Sequence, residues 1–309
     1  MVEVSVEAIA SLTQYYDQPL RCFTFRDFQL VPIVEEFEEI MGCPLGGRKP
    51  YLFSRFYPSM EKVVKVVKIS IQELDHVKQN RNGVVEIPRK HLEEKAKALA
   101  DQGEWASFID ILTLLIFGFV LFPNVDGLVD LEAIDAFLAY HHSKESPIIA
   151  ILADVYDMFD RRCEKSGPRI VCYTLALYEG ITGVFSSCEG FPNVPLLGTR
   201  GCIIYNPVLA IRQLGYPMRG APSEENITPF IAWDFSDPNA RVLQGVCKAW
   251  DAVQRKDKKL WGSSNGIIDD SHKWLRAQTK ELDWLPKLMV AREEETETLE
   301  ESEEVQGGT

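Results

Sequence analysis

Residues 23–47 read Phe23-Thr24-Phe25-Arg26-Asp27-Phe28-Gln29-Leu30-Val31-Pro32-Ile33-Val34-Glu35-Glu36-Phe37-Glu38-Glu39-Ile40-Met41-Gly42-Cys43-Pro44-Leu45-Gly46-Gly47. Phe23, Phe25, Phe28 and Leu30 alternate with polar residues, the pattern of short strands with one buried face. Pro32 stands where a first helical residue loses its N–H at no cost. Ile33, Phe37, Ile40 and Met41 fall on one helix face, while Glu35, Glu36, Glu38 and Glu39 are expected on the other face or in the first turn. Gly42 supplies a left-handed stop and Pro44 blocks continuation. The unit is a strand pair followed by a helix, with no evident catalytic group.

From here outward the chain reads as mainly α: a helical domain with a small N-terminal β-hairpin element and a loop-rich Gly/Pro segment. Val4 to Tyr16 has helical spacing with Ser5 as N-cap. Met60 to Ile69 is ambiguous, since its doubled valines favour a strand by β-branching and a helix by spacing. Ser70 caps a short helix through Val77, and Asn80-Arg81-Asn82-Gly83 is a turn. Pro88 opens a charged amphipathic helix through Ala100. Trp105 to Leu121 forms the hydrophobic centre, and its most apolar run, Ile111 to Phe122, is expected to be a buried helix.

Leu128 to His141 is expected to be helical, with Leu131, Ile134, Phe137 and Leu138 on one face. Ser146 and Pro147 open a further helix carrying Ile151, Val155 and Phe159. Faces this apolar must pack on one another. Residues 180–240 are rich in glycine and proline and read as loops, with one short strand at Cys202 to Tyr205. Asp237-Pro238 starts a helix with Val242, Val246, Trp250 and Val253 on one side. No fixed-period repeat is present.

The order of several short motifs resembles a known family. Phe-x-Phe-x-Asp-Phe-x-Leu-x-Pro with the Glu-Glu-Phe and Gly-x-Pro that follow is similar to the opening of the plant mobile domain family, once labelled aminotransferase-like. Ile87-Pro88-Arg89-Lys90, Leu115-Ile116-Phe117-Gly118 through Leu121-Phe122-Pro123-Asn124, Gly198-Thr199-Arg200-Gly201, Tyr205-Asn206-Pro207, Gln213-Leu214-Gly215-Tyr216-Pro217 and Trp284-Leu285-Pro286 extend the likeness over roughly residues 1–290. It is strongest to an uncharacterised branch in legume retroelement-related reading frames. The resemblance implies a plant protein of transposon ancestry, nuclear, with no established enzymatic activity. It also implies a role in gene or transposon silencing. One departure stands out: only nine residues, Glu179 to Ser187, separate Leu175-Ala176-Leu177-Tyr178 from Cys188-Glu189-Gly190-Phe191-Pro192. A substantial segment intervenes in related sequences, so this copy is internally shortened.

Composition narrows the function classes. A chain of 309 residues with 46% hydrophobic content can fill a core. We expect one domain over 1–290 and an acidic, disordered tail over 291–309. Eight glutamates lie in residues 292–309 against Arg292 alone, and without them the remainder holds 38 acidic and 32 basic residues, a charge of −6. Seven cysteines (Cys22, Cys43, Cys163, Cys172, Cys188, Cys202, Cys247) never form a Cys-x-x-Cys pair. That fits reduced thiols in a nuclear or cytoplasmic protein and disfavours zinc.

Met1 to Ala10 lacks the basic start of a secretory signal. The apolar run Ile111 to Phe122 falls short of the ~20 residues a bilayer span requires. We therefore expect no membrane partner.

Candidate chemistry is thin. Gly262-Ser263-Ser264-Asn265-Gly266 satisfies Gly-x-Ser-x-Gly with Ser264 as nucleophile, but a strained strand-to-helix turn is needed. Lys256, Asp257, Lys258 and Lys259 precede it and read as a charged helix end. His141-His142 with Asp154 and Asp157 could be arranged as metal ligands, but Asp154, Asp157 and Arg161 recur as on a solvated, ion-paired helix face. Gly46-Gly47-Arg48-Lys49-Pro50 lacks phosphate-loop spacing. No Schiff-base lysine, pyridine partner or phosphate cup supports aminotransferase chemistry. We expect no cofactor, no metal and no catalytic residue.

Residues 241–291 hold ten basic and six acidic side chains. Arg255, Lys256, Lys258, Lys259, Trp261, Lys273 and Arg276 are therefore the candidate contacts for nucleic acid, through phosphate neutralisation and base stacking. Two readings stand: a non-enzymatic interaction or scaffold module acting through protein partners, with residues 200–235 as a candidate loop surface, or a nucleic-acid-binding protein using that basic segment.

Overall fold

A computed structural model describes residues 15–257 except 19, 26–28, 47, 54–56, 82–83, 123–126, 166–182, 189, 192, 206–230 and 233–236, together with 273 and 277. The described chain is mainly α, as its apolar periodicities require. Strands β1 (Tyr16–Asp17), β2 (Cys22–Thr24) and β3 (Gln29–Leu30) form an antiparallel sheet in that order, with Phe23 opposite both Tyr16 and Leu30. All three residues of β2 are buried, so the strand is covered on both faces. Helix α1 (Val34–Met41) follows and stops at Gly42, whose φ of 57° is left-handed. The Gly42 and Cys43 N–H groups donate to the Glu39 and Glu38 carbonyls, the expected reversed close.

The ambiguous valine run is helix α2 (Met60–Val67), with Val63, Val66 and Val67 buried. Burial at intervals of three and four decided between the two periods. Ser70 caps helix α3 (Ile71–Val77), its hydroxyl accepting from the Glu73 N–H at 3.1 Å.

The turn expected at Asn80 to Gly83 belongs to a hairpin of β4 (Gln79–Arg81) and β5 (Val84–Pro88), with 82–83 outside the described residues. Helix α4 (Arg89–Asp101) begins directly after Pro88, and helix α5 (Trp105–Ile116) runs into a π-helical turn at Phe117–Leu121. Leu128–Asp130, expected to be helical, is instead strand β6, paired with β5. Asp130 then caps helix α6 (Leu131–Leu138), which ends in a π-helical turn at Ala139–Ser143.

Helix α7 (Ile148–Lys165) is the axis of the fold. Ile148, Ile149, Ala150, Ile151 and Leu152 are all buried, so its first half is enclosed on every side. It packs against α1 and against strands β8 (Val194–Leu197) and β9 (Cys202–Tyr205). The 180–240 region carries more β-structure than the one expected strand. Besides β8 and β9 it holds β7 (Gly183–Ser187) and β10 (Ile231–Ala232), which pairs with β9. Helix α8 (Asp237–Asp251) leads to β11 (Gln254–Asp257), which pairs antiparallel with β7. The expected charged helix end at Lys256-Asp257 is therefore a strand, held by a partner about seventy residues earlier.

Two glycines of the recognised motifs have a steric reason. A Cβ on Gly118 would lie 2.6 Å from a Val129 methyl, so the π-helical turn can rest on β6 only through glycine. At Gly198, in the turn between β8 and β9, a Cβ would lie 2.3 Å from Asp154 Oδ1 and 2.8 Å from the Ala153 Cβ. That turn sits directly on the Ala153 and Asp154 side chains of α7.

Gly198→Ala should therefore destabilise the chain by ~1–3 kcal/mol, the usual range for overpacking. A urea unfolding series checks this; an unchanged midpoint would refute the close approach.

Candidate interaction surface

The interior is unusually acidic. Asp154 Oδ1 and Oδ2 accept from the Thr199 N–H at 3.0 Å and the Thr199 hydroxyl at 2.7 Å. Asp157 pairs with Arg161 at 2.9 Å and lies 3.8 Å from Arg200. Asp160 accepts from the Tyr16 hydroxyl at 3.0 Å and pairs with buried Arg21 at 3.4 Å. Arg21 also donates to the Ile204 carbonyl at 3.2 Å, joining the N-terminal sheet, α7 and β9. Burial pushes both Asp154 and Asp160 up to about 6, against the lowering pull of Arg200 and Arg21 respectively. The face expected to be solvated is thus an internal seam: Asp157 and Asp160 are buried and Asp154 is hydrogen-bonded to the β8–β9 turn. Helical spacing of acids and bases looks the same on a wet face and a packed one.

Helix α1 departs from expectation in the same way. Glu35, Glu36 and Glu38 are 1%, 3% and 4% exposed, not solvent-facing. Glu36 accepts from the Ile33 N–H at 3.2 Å, closing the helix start. Glu38 accepts from the Leu45 N–H at 2.6 Å and pairs with Arg255 at 2.7 Å. Glu35 accepts from the Phe185 N–H on β7, and burial raises it to about 8. The β7–β11 ribbon is therefore held to α1 through two glutamates. The Arg255 guanidinium also lies 5.1 Å from the centre of the Phe185 ring.

These contacts redirect the expected nucleic-acid interface. Arg255 is committed to Glu38, and Lys256 lies in β11 beside it. Lys273 is helical and exposed. Lys258, Lys259, Trp261 and Arg276 lie outside the described residues, as do Ser264 with its Gly-x-Ser-x-Gly, the acidic tail and most of the 200–235 loop surface.

His141 approaches Asp110 at 3.3 Å and His142 at 3.4 Å rather than meeting Asp154 or Asp157. Among the described residues, no group of three His, Cys, Asp or Glu side chains is placed to hold a metal. Cys22, Cys43, Cys188 and Cys202 are buried free thiols, and burial pushes Cys188 and Cys202 up to about 12. No described helix is long and apolar enough to cross a membrane.

The outward-facing chemistry lies on α5. Trp105, Ile109, Leu112, Ile116 and Val120 are 61%, 58%, 43%, 43% and 40% exposed. They recur every three or four residues and so form one straight stripe. The opposite face, with Ile111, Leu114 and Phe117, is buried against α4, α2 and α6. The helix expected to be buried is thus covered on only one side. The stripe, about 22 Å long over the fifteen steps from Trp105 to Val120, is sufficient for a partner helix. Isolated exposed apolar residues are ordinary; a contiguous row is a candidate interaction surface.

The comparisons with known proteins point to a family without a described role. A family model described as "Domain of unknown function (DUF7745)" matches residues 1–187 and 179–280. The two matched segments overlap at residues 179–187. No curated protein matches the chain, and no solved structure does.

Two consequences of the buried acids can be measured. Glu35 has a folded pKa above its unfolded value, so its contribution is present below about pH 4.5 and is lost as pH rises through about 8. Glu35→Gln should gain ~2–4 kcal/mol on the wild type between pH 5 and pH 8 in paired unfolding titrations; parallel curves would refute the assignment. Arg255→Ala should cost ~1–3 kcal/mol by leaving Glu38 underpaired, and adding Glu38→Gln should recover part of that loss in the same assay.

Proposed function

The chain belongs to the DUF7745 family, and from that premise we propose that it is a non-enzymatic interaction module, a scaffold that works through protein contacts. The observation that carries this reading is the apolar stripe from Trp105 to Val120, left uncovered while Ile111, Leu114 and Phe117 on the opposite face are buried. The interior acids support it from the opposite direction. Asp154, Asp160 and Glu38 each hold a backbone N–H or a side chain from outside their own helix, and Glu36 closes the start of α1, so these acids are engaged in holding the fold.

The resemblance to plant mobile domain sequences extends the proposal to a protein of retroelement ancestry acting in the nucleus, in gene or transposon silencing. The motif residues that carry the resemblance have structural duties here. Gly198 and Thr199 seat the β8–β9 turn on α7, and Gly118 seats the π-helical turn on β6. Nucleic-acid binding through the basic segment is the weaker reading, because Arg255 is drawn into the ribbon contact with Glu38.

Affinity capture from plant nuclei, with and without nuclease, tests the proposal. Wild-type chain should retain a reproducible set of proteins after nuclease, and Ile109→Glu should lose it. Recovery that depends wholly on nucleic acid, or is indifferent to Ile109→Glu, would contradict it.

A further inference from the structure

Consecutive side chains on an α-helix diverge and do not face each other. The π-helical turn at Ala139–Ser143 breaks that rule. His141 and His142 are neighbours in sequence, yet their Nδ1 atoms stand 3.4 Å apart, with the ring planes at 81°. π-Helical turns are rare, and they occur frequently at functional sites. His141 is held from two further sides. Its ring stacks on buried Phe137 at an interplanar angle of 25°, and its Nε2 lies 3.3 Å from Asp110 Oδ1 on α5. A carboxylate at Nε2 favours the proton on that nitrogen, so Nδ1 turns a lone pair towards His142. The width of the gap indicates what suits it. N–H hydrogen bonds to oxygen close at about 2.7–3.2 Å, so 3.4 Å is long for a shared proton. Two nitrogens bound at about 2.0–2.1 Å to one tetrahedral ion stand about 3.3–3.4 Å apart.

We propose that His141 and His142 bind a divalent transition-metal ion of the zinc class through their Nδ1 atoms, with Asp110 as the positioning residue and water in the remaining coordination positions. The inference goes beyond the interaction-module reading and does not depend on it. Imidazole nitrogens suit such ions. A ligating histidine commonly turns its other nitrogen to a carboxylate, which fixes both the tautomer and the ring. The sequence set these histidines beside Asp154 and Asp157; the carboxylate that the fold brings to them is Asp110. Both rings are exposed, so an ion and its waters can reach them. Two lysines near the pair are engaged elsewhere. Lys68 Nζ lies 3.3 Å from the second Asp110 oxygen, and Lys144 Nζ donates to the His141 carbonyl at 2.9 Å. Phe137 and Asp110 already hold one of the two rings, so the ion has only His142 to fix.

Zinc chloride titrated into the full chain, followed by proton–nitrogen NMR of the histidine rings, tests this. The chain has five histidines, His76, His91, His141, His142 and His272. The Nδ1 resonances of His141 and His142 should move together and saturate at one equivalent of zinc, while the other three rings stay in place. His142→Ala, at an exposed position, should keep the wild-type circular dichroism and leave His141 unmoved by the same zinc. Asp110→Asn should also keep the circular dichroism and weaken binding about tenfold. Rings that do not respond, or one that moves without the other, overturn the proposal. So does zinc that moves all five rings alike, or an Asp110→Asn chain that binds as tightly as wild type.

Discussion

The fold depends on how helix α7 carries its acids. Three aspartates, Asp154, Asp157 and Asp160, lie along a helix whose first half is wrapped in apolar side chains. A carboxylate in such surroundings is strongly disfavoured unless it is hydrogen-bonded or paired. Each therefore dictates what lies against it: Thr199 at Asp154, Arg161 and Arg200 at Asp157, Arg21 and Tyr16 at Asp160. Apart from Arg161 on α7 itself, these partners come from before and after α7 in the chain, so satisfying α7 brings the N-terminal sheet and the β8–β9 turn together. Gly198 is the steric condition of that arrangement, since any side chain there would strike the acid that the turn must reach.

Helix α1 repeats the device in a smaller space. Its glutamates close the helix start, hold the loop at Leu45 and anchor the β7–β11 ribbon. Groups of this type are costly to bury, and removing one partner leaves the other buried and unpaired. An apolar core alone would accept several placements of the ribbon against α1. The pairing of Glu38 with Arg255, and of Glu35 with the Phe185 N–H, selects one.

Much of this architecture was legible in the chain. Gly42 ended α1, Ser70 capped α3, and Ser146-Pro147 announced α7, each through a local rule that needs no tertiary information. The misreadings share one cause. Asp154 and Asp157 were assigned to a solvated face, and Glu35 and Glu38 to the open face or first turn of α1, whereas the groups that meet them lie on elements no local rule could place: Thr199 and Arg200 in the β8–β9 turn, Phe185 on β7 and Arg255 on β11. Trp105 to Leu121 went wrong in the opposite sense: an apolar helix was assigned to the interior, although periodicity cannot say how many neighbours will arrive to cover it. β6 was missed because Leu128 to Asp130 is too short to show a strand period, and only its pairing with β5 defines it. The stripe on α5, as a surface, became visible only once α4, α2 and α6 had taken the other side.

The molecule thus sorts its chemistry by depth, with charges inside as fasteners and a greasy helix face outside. Hydroxyl-radical footprinting measures that inversion directly. Trp105 should be labelled readily in the isolated chain, while Tyr156 and Tyr205, both fully buried, stay unlabelled. Ready labelling of Tyr156 or Tyr205, or a shielded Trp105, would contradict it.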